Sequence, residues 1–280
     1  MTSMTAPSAS AFMAAVPAMS GGNTPFAARY ARELRDVIVR QAHRSPRNMQ
    51  RTLGPSEIGS VCDRQVVGKF AGEPETNHVS DPWASVVGTA VHAKLAEFFA
   101  LENGLNGYVR WVPEQRVSAH PLYPGTADLY DGVEEIVVDH KVLGPTSMAK
   151  VMSPDGPPRH YQVQLLLYAA GYRNLGLPVK RVILAAYPRT SATLDSMYCW
   201  EHTCSPADDL LIADVLDETA FRREVARRVM SGAINIGDVP ITPSSDGCFW
   251  CPFYRPESAR DDIPGCPGHS PRDSRDSRAM

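Results

Sequence analysis

Nothing in this chain approaches the roughly eighteen uninterrupted apolar residues of a membrane span, so no such span is expected. Charge of one sign is also lacking: 28 lysines and arginines against 31 aspartates and glutamates leave a formal net charge of −3. That balance excludes a protein whose whole surface grips nucleic acid, while leaving room for a local basic groove. Cysteine is scarce, six in 280 residues, too few for a disulfide scaffold. Internal repeats and obvious linkers are missing too. The opening MTSMTAPSASAFMAAVPAMSGG lacks a basic leader region, and its apolar stretch is broken at Pro17. That speaks against a signal peptide; an unfolded tail over 1–24 and a cytoplasmic protein are expected.

What is present suits one generous domain, or one with an appendage. Apolar content of 43% and charge content of 21% are ordinary for a globular chain. Apolar spacing and cap signals predict helices over 25–43, 81–103, 159–175 and 206–231. Residues 54–70 read as a cap followed by a short helix holding Cys62. The 81–103 helix is amphipathic, with Val87, Val91, Leu95 and Phe98 on its apolar stripe. Extended runs fall near 109–119, 125–130, 135–142, 180–187 and 196–201. The order predicts a mixed α/β domain built round one sheet. A second tail, rich in Ser, Pro and charge, is expected over 268–280.

The segment GTADLYDGVEEIVVDHKV (125–142) holds Asp128 on one ribbon and Asp139 and Lys141 on the next. Charges beside a run as apolar as Ile136-Val137-Val138 are costly to bury without partners. Asp139 and Lys141 are two apart, so they share a strand face, and His140 points to the opposite one. A two-residue turn at Asp131-Gly132 would set Pro124 opposite Asp139 and part the two acids by roughly 13 Å, four residues at about 3.3 Å each. Proline also donates nothing to a central strand. Direct opposition of Asp128 and Asp139 needs a wider loop, centred between Val133 and Glu134, and that loop is predicted. Two carboxylates would then converge on one divalent cation, with Lys141 beside it to orient or activate a water. A surface salt bridge at a strand end is the bland reading of the same three residues.

Two flanking motifs weigh on that choice. Upstream, Gly88-Thr89-Ala90-Val91-His92 lies on a helix; downstream, Gln164 and Tyr168 stand at i and i+4 on one helical face, with His160 on the same stripe. The ordered set resembles the PD-(D/E)XK nuclease superfamily, and more narrowly its RecB-like branch, including CRISPR-associated and phage-encoded RecB-like exonucleases. The resemblance spans about residues 54–267. It implies a restriction-endonuclease-like core, with Lys141, Asp128, Asp139, Gln164 and Tyr168 as catalytic machinery. His92, Asp128, Asp139 and the backbone carbonyl of His140 would hold Mn2+ or Mg2+, the imidazole favouring manganese. Gln164 and Tyr168 would hold the substrate backbone or the lysine. Glu114, on the first strand, is a candidate supporting acid.

Cys248-x-x-Cys251 followed by Cys266 offers three thiolates, and a Cys-x-x-Cys turn aims two at one centre. Cys62, in SEIGSVCDRQ, is the candidate fourth. This segment resembles the N-terminal cysteine of iron–sulfur members of the same branch, where one early and three late cysteines hold a [4Fe–4S] cluster joining the chain ends. The gap from Cys251 to Cys266 is longer than that family's usual spacing. Zinc is the rival occupant, and two separate disulfides the third reading. Cys199 and Cys204, flanking His202, read as free thiols. On this view residues 25–80 form an N-terminal helical segment contributing Cys62, 81–235 a nuclease core, and 236–267 a cysteine segment. Arg222, Arg223, Arg227 and Arg228 read as a solvated face complementing a helix C-terminus, while Lys180, Arg181 and Arg189 bracket a strand.

The resemblance implies a metal-dependent DNA exonuclease, acting on single strands or DNA ends, in phage DNA processing, recombination or CRISPR adaptation. The competing readings are a non-catalytic nucleic-acid-binding or assembly module that keeps the fold, and a zinc-stabilised binding protein.

Overall fold

In the computed structural model of the chain, residues 24–44, 53–77, 81–259 and 263–268 are described. The two expected tails lie outside these residues except at their inner ends, Thr24 and Gly268. The chain divides into two units, Met1–Asn48 and Met49–Met280.

The first unit contributes α1 (Pro25–His43). Thr24 caps it, its hydroxyl accepting from the Ala27 N–H at 3.1 Å, and Pro25 occupies the first turn. Phe26, Tyr30 and Leu34 recur every four residues and are exposed.

The second unit opens with two short helices, α2 (Pro55–Ile58) and α3 (Asp63–Ala71). Cys62 is not inside a helix, as the sequence suggested, but is the N-cap residue of α3. The backbone turns between the helices at Gly59-Ser60, where Gly59 leaves no space for a side chain: a Cβ would lie 2.9 Å from that of Val163. The long α4 (Trp83–Asn106) follows, then β1 (Trp111–Val117), β2 (Gly125–Asp131) and β3 (Ile136–Leu143). A helical crossover, α5 (Pro145–Val151) and α6 (Arg159–Asn174), leads to β4 (Arg181–Pro188), β5 (Tyr198–Thr203) and α7 (Pro206–Met230). The short α5 carried no clear sequence signal. A 3₁₀ turn (Ile236–Asp238), α8 (Ser245–Phe249) and a second 3₁₀ turn (Pro256–Ala259) complete the chain.

The five strands form one mixed sheet in the order β1-β2-β3-β4-β5. Only β3 and β4 are parallel, and the crossover between them meets the need of a parallel pair for a long connection. Helices cover both faces. His140 stacks on Phe99 of α4, while its neighbour Lys141 meets Gln164 of α6. β4 is therefore buried on both sides along Val182, Leu184, Ala185 and Ala186, as its continuous apolar run requires. The core gathers Val163, Leu165, Leu167 and Tyr172 of α6 with Tyr130, Val137 and Val182.

Two expectations are corrected. Phe98 does not lie on the inner stripe of α4 but is 54% exposed; Phe99 turns inward, onto Trp111 and His140. No α4 residue is fully buried, so a 24-residue helix crossing a small sheet has no single buried stripe to follow. By length and composition this helix is apolar enough to cross a membrane, but its inner contacts are with the sheet. Arg222, read as a solvated cation, is 2% exposed. It reaches Asp63 of α3, Glu218 and the Ser60 carbonyl, tying α7 to the Cys62 segment.

Gly171 of α6 lets β1 approach: a Cβ there would meet the Ser118 nitrogen at 2.8 Å and the Val117 Cβ at 2.9 Å. Gly171→Ala is expected to destabilise by about 1–3 kcal/mol through overpacking, read as a lowered urea midpoint with unchanged slope. A variant as stable as the parent would show that the α6–β1 contact yields freely.

Candidate active site

The β2–β3 register is the first determinant of the site. Leu129 pairs with Val138, Tyr130 with Val137 and Asp131 with Ile136, so Asp128 stands across from Asp139. The loop is four residues, centred between Val133 and Glu134, as predicted. Asp131 shapes it: its Oδ1 accepts the Val133 and Glu134 N–H groups, and Arg110 clamps the same carboxylate. The sheet bonding stops at Leu129 because Asp128 takes over; its Oδ2 accepts the His140 N–H at 2.7 Å.

Asp139, Lys141, Gln164 and Tyr168 form a chain. Lys141 Nζ lies 2.7 Å from Asp139 Oδ2 and donates to Gln164 Oε1 at 3.1 Å. The Gln164 amide in turn donates to the Tyr168 hydroxyl at 3.2 Å. The Tyr161 ring lies 5.0 Å below the ammonium, a cation–π contact. Asp139 is 1% exposed, and its Oδ1 has no hydrogen-bond partner among the described residues. Burial pushes its carboxyl up to about 6, partly offset by Lys141 and reinforced by Asp128. Burial disfavours the charge on Lys141, but Asp139 and Asp128 outweigh it and hold the ammonium above its ordinary range.

His92, Glu114 and Asp128 form the second group. Pro113 pairs with Leu129 and Gln115 with Ala127, so Glu114 faces Asp128 from the other side. Its φ of +51° is left-handed, uncommon for a non-glycine residue and costly by about 1–3 kcal/mol. One donor atom from each of the three residues lies within 4.8 Å of the others, with His92 Nδ1 at 3.3 Å from Asp128 Oδ1. Burial opposes charge on His92, yet the Asp128 hydrogen bond and charge raise its pKa overall; Asp128 is correspondingly lowered despite its own burial. One nitrogen and two carboxylates suit a divalent ion such as manganese. With the unbonded Asp139 oxygen nearby, the residues fit such an ion. Glu114 is the residue the sequence undervalued. His140 packs its ring on Phe99, the Tyr187 hydroxyl and, edge-on at 6.0 Å, the His92 ring, while its backbone N–H faces Asp128.

The four proposed thiolates come together elsewhere in the unit. Cys62, Cys248, Cys251 and Cys266 line one cavity of about 60 Å³. Backbone N–H groups point at three of the sulfurs: Ser244 at Cys248, Phe253 at Cys251 and Gly268 at Cys266. Burial, then the neighbouring sulfurs, push the Cys251 thiol up to about 11. Asn77 pins the turn by donating to the Phe249 and Cys251 carbonyls. Gly268, assigned to the tail, is buried against Tyr254 and Cys248, so the folded segment reaches that residue. Four sulfurs lining one space fit a thiolate-bound metal centre. His202 is occupied by Asp208 at 3.0 Å, and none of the six cysteines, Cys199 and Cys204 included, is joined in a disulfide. Lys180 and Arg181 are engaged by Glu135 and Glu201.

Between its ordinary pKa of about 3.9 and its folded value of about 6, the folded chain holds the Asp139 proton more tightly than the unfolded chain. This group therefore lowers stability as pH rises through that window. In EDTA, the stability of Asp139→Asn relative to the parent is expected to be more favourable at pH 7 than at pH 4, by urea unfolding, on top of the cost of leaving Lys141 unpaired. Equal differences at both pH values would exclude a buried ionisation.

No protein-family model matches the sequence, and no curated protein matches it. Among solved structures, the chain is similar to the protein SSO0001, at 16% identity and a TM-score of 0.41 over 73% of this chain and 84% of that one. It is also similar to an alkaline exonuclease, LHK-Exo, from Laribacter hongkongensis, at 12% identity and 0.43 over 66% and 95%. A phage-related exonuclease from Haemophilus somnus 129PT is similar at 12% identity and 0.37 over 61% and 95%.

Proposed function

We propose that this protein is a divalent-metal-dependent DNA exonuclease of the PD-(D/E)XK type, stabilised by a cysteine-bound [4Fe–4S] cluster. The observation that carries the reading is the convergence of Asp128, Asp139 and Lys141 across one hairpin, with His92 and Gln164 closing on them from two helices. His92, Asp128 and Asp139 would hold the ion, with the His140 carbonyl as a further oxygen and Glu114 joining them. A bound ion supplies Lewis-acid charge to a phosphodiester oxygen.

The chain's own residues do the rest. Gln164 and Asp139 fix the Lys141 ammonium, which stays charged at neutral pH. From that position it orients a water for attack on phosphorus and offsets charge growing on the phosphoryl oxygens. Tyr168 keeps the Gln164 amide facing the lysine. Hydrolysis forms a bond from phosphorus to the water oxygen and breaks the one to the sugar oxygen.

For the cysteines, a cluster is favoured over zinc on size. One tetrahedral zinc with bonds of about 2.3 Å draws its sulfurs to about 3.8 Å apart. Among the described residues, the sets of three donors within 4.8 Å of one another include no cysteine. The wider ring suits a polynuclear centre, which would join Cys62 to the C-terminal segment. Phage recombination or CRISPR adaptation, in a cytoplasm, is the setting in which such a nuclease would act on DNA ends or single strands.

Anaerobically purified protein is expected to be brown and, with manganese or magnesium, to degrade end-labelled DNA. Asp139→Ala and Lys141→Ala should each abolish degradation and leave the colour. Cys248→Ala should lose the colour. Degradation that survives both active-site substitutions would overturn the nuclease assignment, and a colourless parent holding one zinc per chain would overturn the cluster.

A further inference from the structure

We propose that Arg64 is the counter-charge of the four-cysteine site, fixed by the fold to stabilise the more negative, reduced state of the centre bound there. This rests on the cluster reading above and concerns a residue to which that reading gives no role.

Every arm of Arg64 is engaged. Its Nε donates to the Val239 carbonyl at 2.8 Å and its Nη2 to the Gly237 carbonyl at 2.5 Å. Its backbone N–H donates to the Pro240 carbonyl at 3.1 Å. Two carbonyls on one planar fork fix the plane of the guanidinium, and the remaining arm, Nη1, points at Cys266 Sγ from 3.9 Å. Arg64 is two residues beyond the N-cap of α3, so the helix start that presents Cys62 also places Arg64.

The surroundings make that charge count. Among the described residues lining the cavity, Arg64 is the sole lysine or arginine, and no carboxylate is present. The rest of the lining is Cys62, Cys248, Cys251 and Cys266, the Gln65 amide, and small, apolar or hydroxyl side chains. A guanidinium stays charged at any working pH, so the cation is permanent. Four thiolates around an iron–sulfur core leave a net negative charge that grows by one on reduction. A fixed cation against one sulfur stabilises the more negative state, and hydrogen bonds to the sulfurs and net charge are what set such potentials.

The test compares full-length parent, Arg64→Gln and Arg64→Lys, purified anaerobically. Iron and acid-labile sulfide per chain are measured first, then the one-electron midpoint by dye-mediated titration with dithionite. Arg64→Gln keeps an N–H donor and removes the charge; its midpoint is expected to shift to more negative potential at parental iron content. Arg64→Lys keeps the charge and loses the fork; its midpoint is expected to stay near the parent's. An unshifted Arg64→Gln midpoint overturns the proposal. So does an Arg64→Lys shift as large as that of Arg64→Gln, which would assign the effect to geometry. Should Arg64→Gln fail to retain iron, Arg64→Lys decides alone: a parental midpoint supports the counter-charge and a negative shift overturns it. Zinc without iron in the parent refutes the cluster reading separately. Arg64 is then judged by zinc loss to a chelator, where faster release from Arg64→Gln than from Arg64→Lys supports the role and equal rates end it.

Discussion

The pairing of buried Asp139 with Lys141, whose side chain keeps 16% exposure, is a charge interaction largely withdrawn from water, and much of the unit is arranged to keep it tolerable. A buried carboxylate and ammonium lose more by desolvation than they regain unless geometry and further hydrogen bonds are supplied. Gln164 supplies one to the lysine, Tyr168 steadies Gln164, and the Tyr161 ring lies beneath the ammonium. Room comes from β4, whose residues opposite His140 and Lys141 are Ala185 and Ala186, both small and buried. One oxygen of Asp139 is left without a hydrogen bond among the described residues. The acid is thus held close to the edge of neutrality, ready for a cation that would complete it.

The unit separates two sets of candidate metal donors by type. Oxygen donors sit on the sheet, where strand alternation and a hairpin register fix them within tight limits, and the His92 imidazole meets them from α4. Sulfur donors sit where the segment before α3 meets the C-terminal turns. Hard and soft ligands favour different ions, so this separation would let each site select its own occupant. Arg222 and Arg64 work at the second location. One binds α7 to Asp63 and Ser60, and the other binds α3 to the turn after α7.

Much of this was legible in the sequence because it depends on short-range patterns. The strand and helix order follows from periodicity, and the opposition of Asp128 and Asp139 follows from counting residues round one hairpin. Glu114 was harder. The connection from β1 to β2 runs through Ser118–Pro124 and carries no turn signature that fixes register, so its position opposite Asp128 could not be counted. Its left-handed backbone is imposed by the surrounding structure, not by glutamate's own preference. Arg222 was misread for a related reason: its partner Asp63 lies 159 positions away, and a helix rich in arginine resembles a solvated one until the tertiary contact is seen. Phe98 and Phe99 are adjacent, and which one faces inward depends on how the helix lies on the sheet.

The cysteine cavity has a consequence for how the protein is made. Arg64 and Cys266 are 202 positions apart, and the cavity draws on both ends of that interval. A ribosome delivers Cys62 well before Cys266, so the sulfur site cannot be complete until the whole interval between them has been synthesised. Whatever rigidity a bound centre gives this unit can arrive only once the last of the four sulfurs has joined the first.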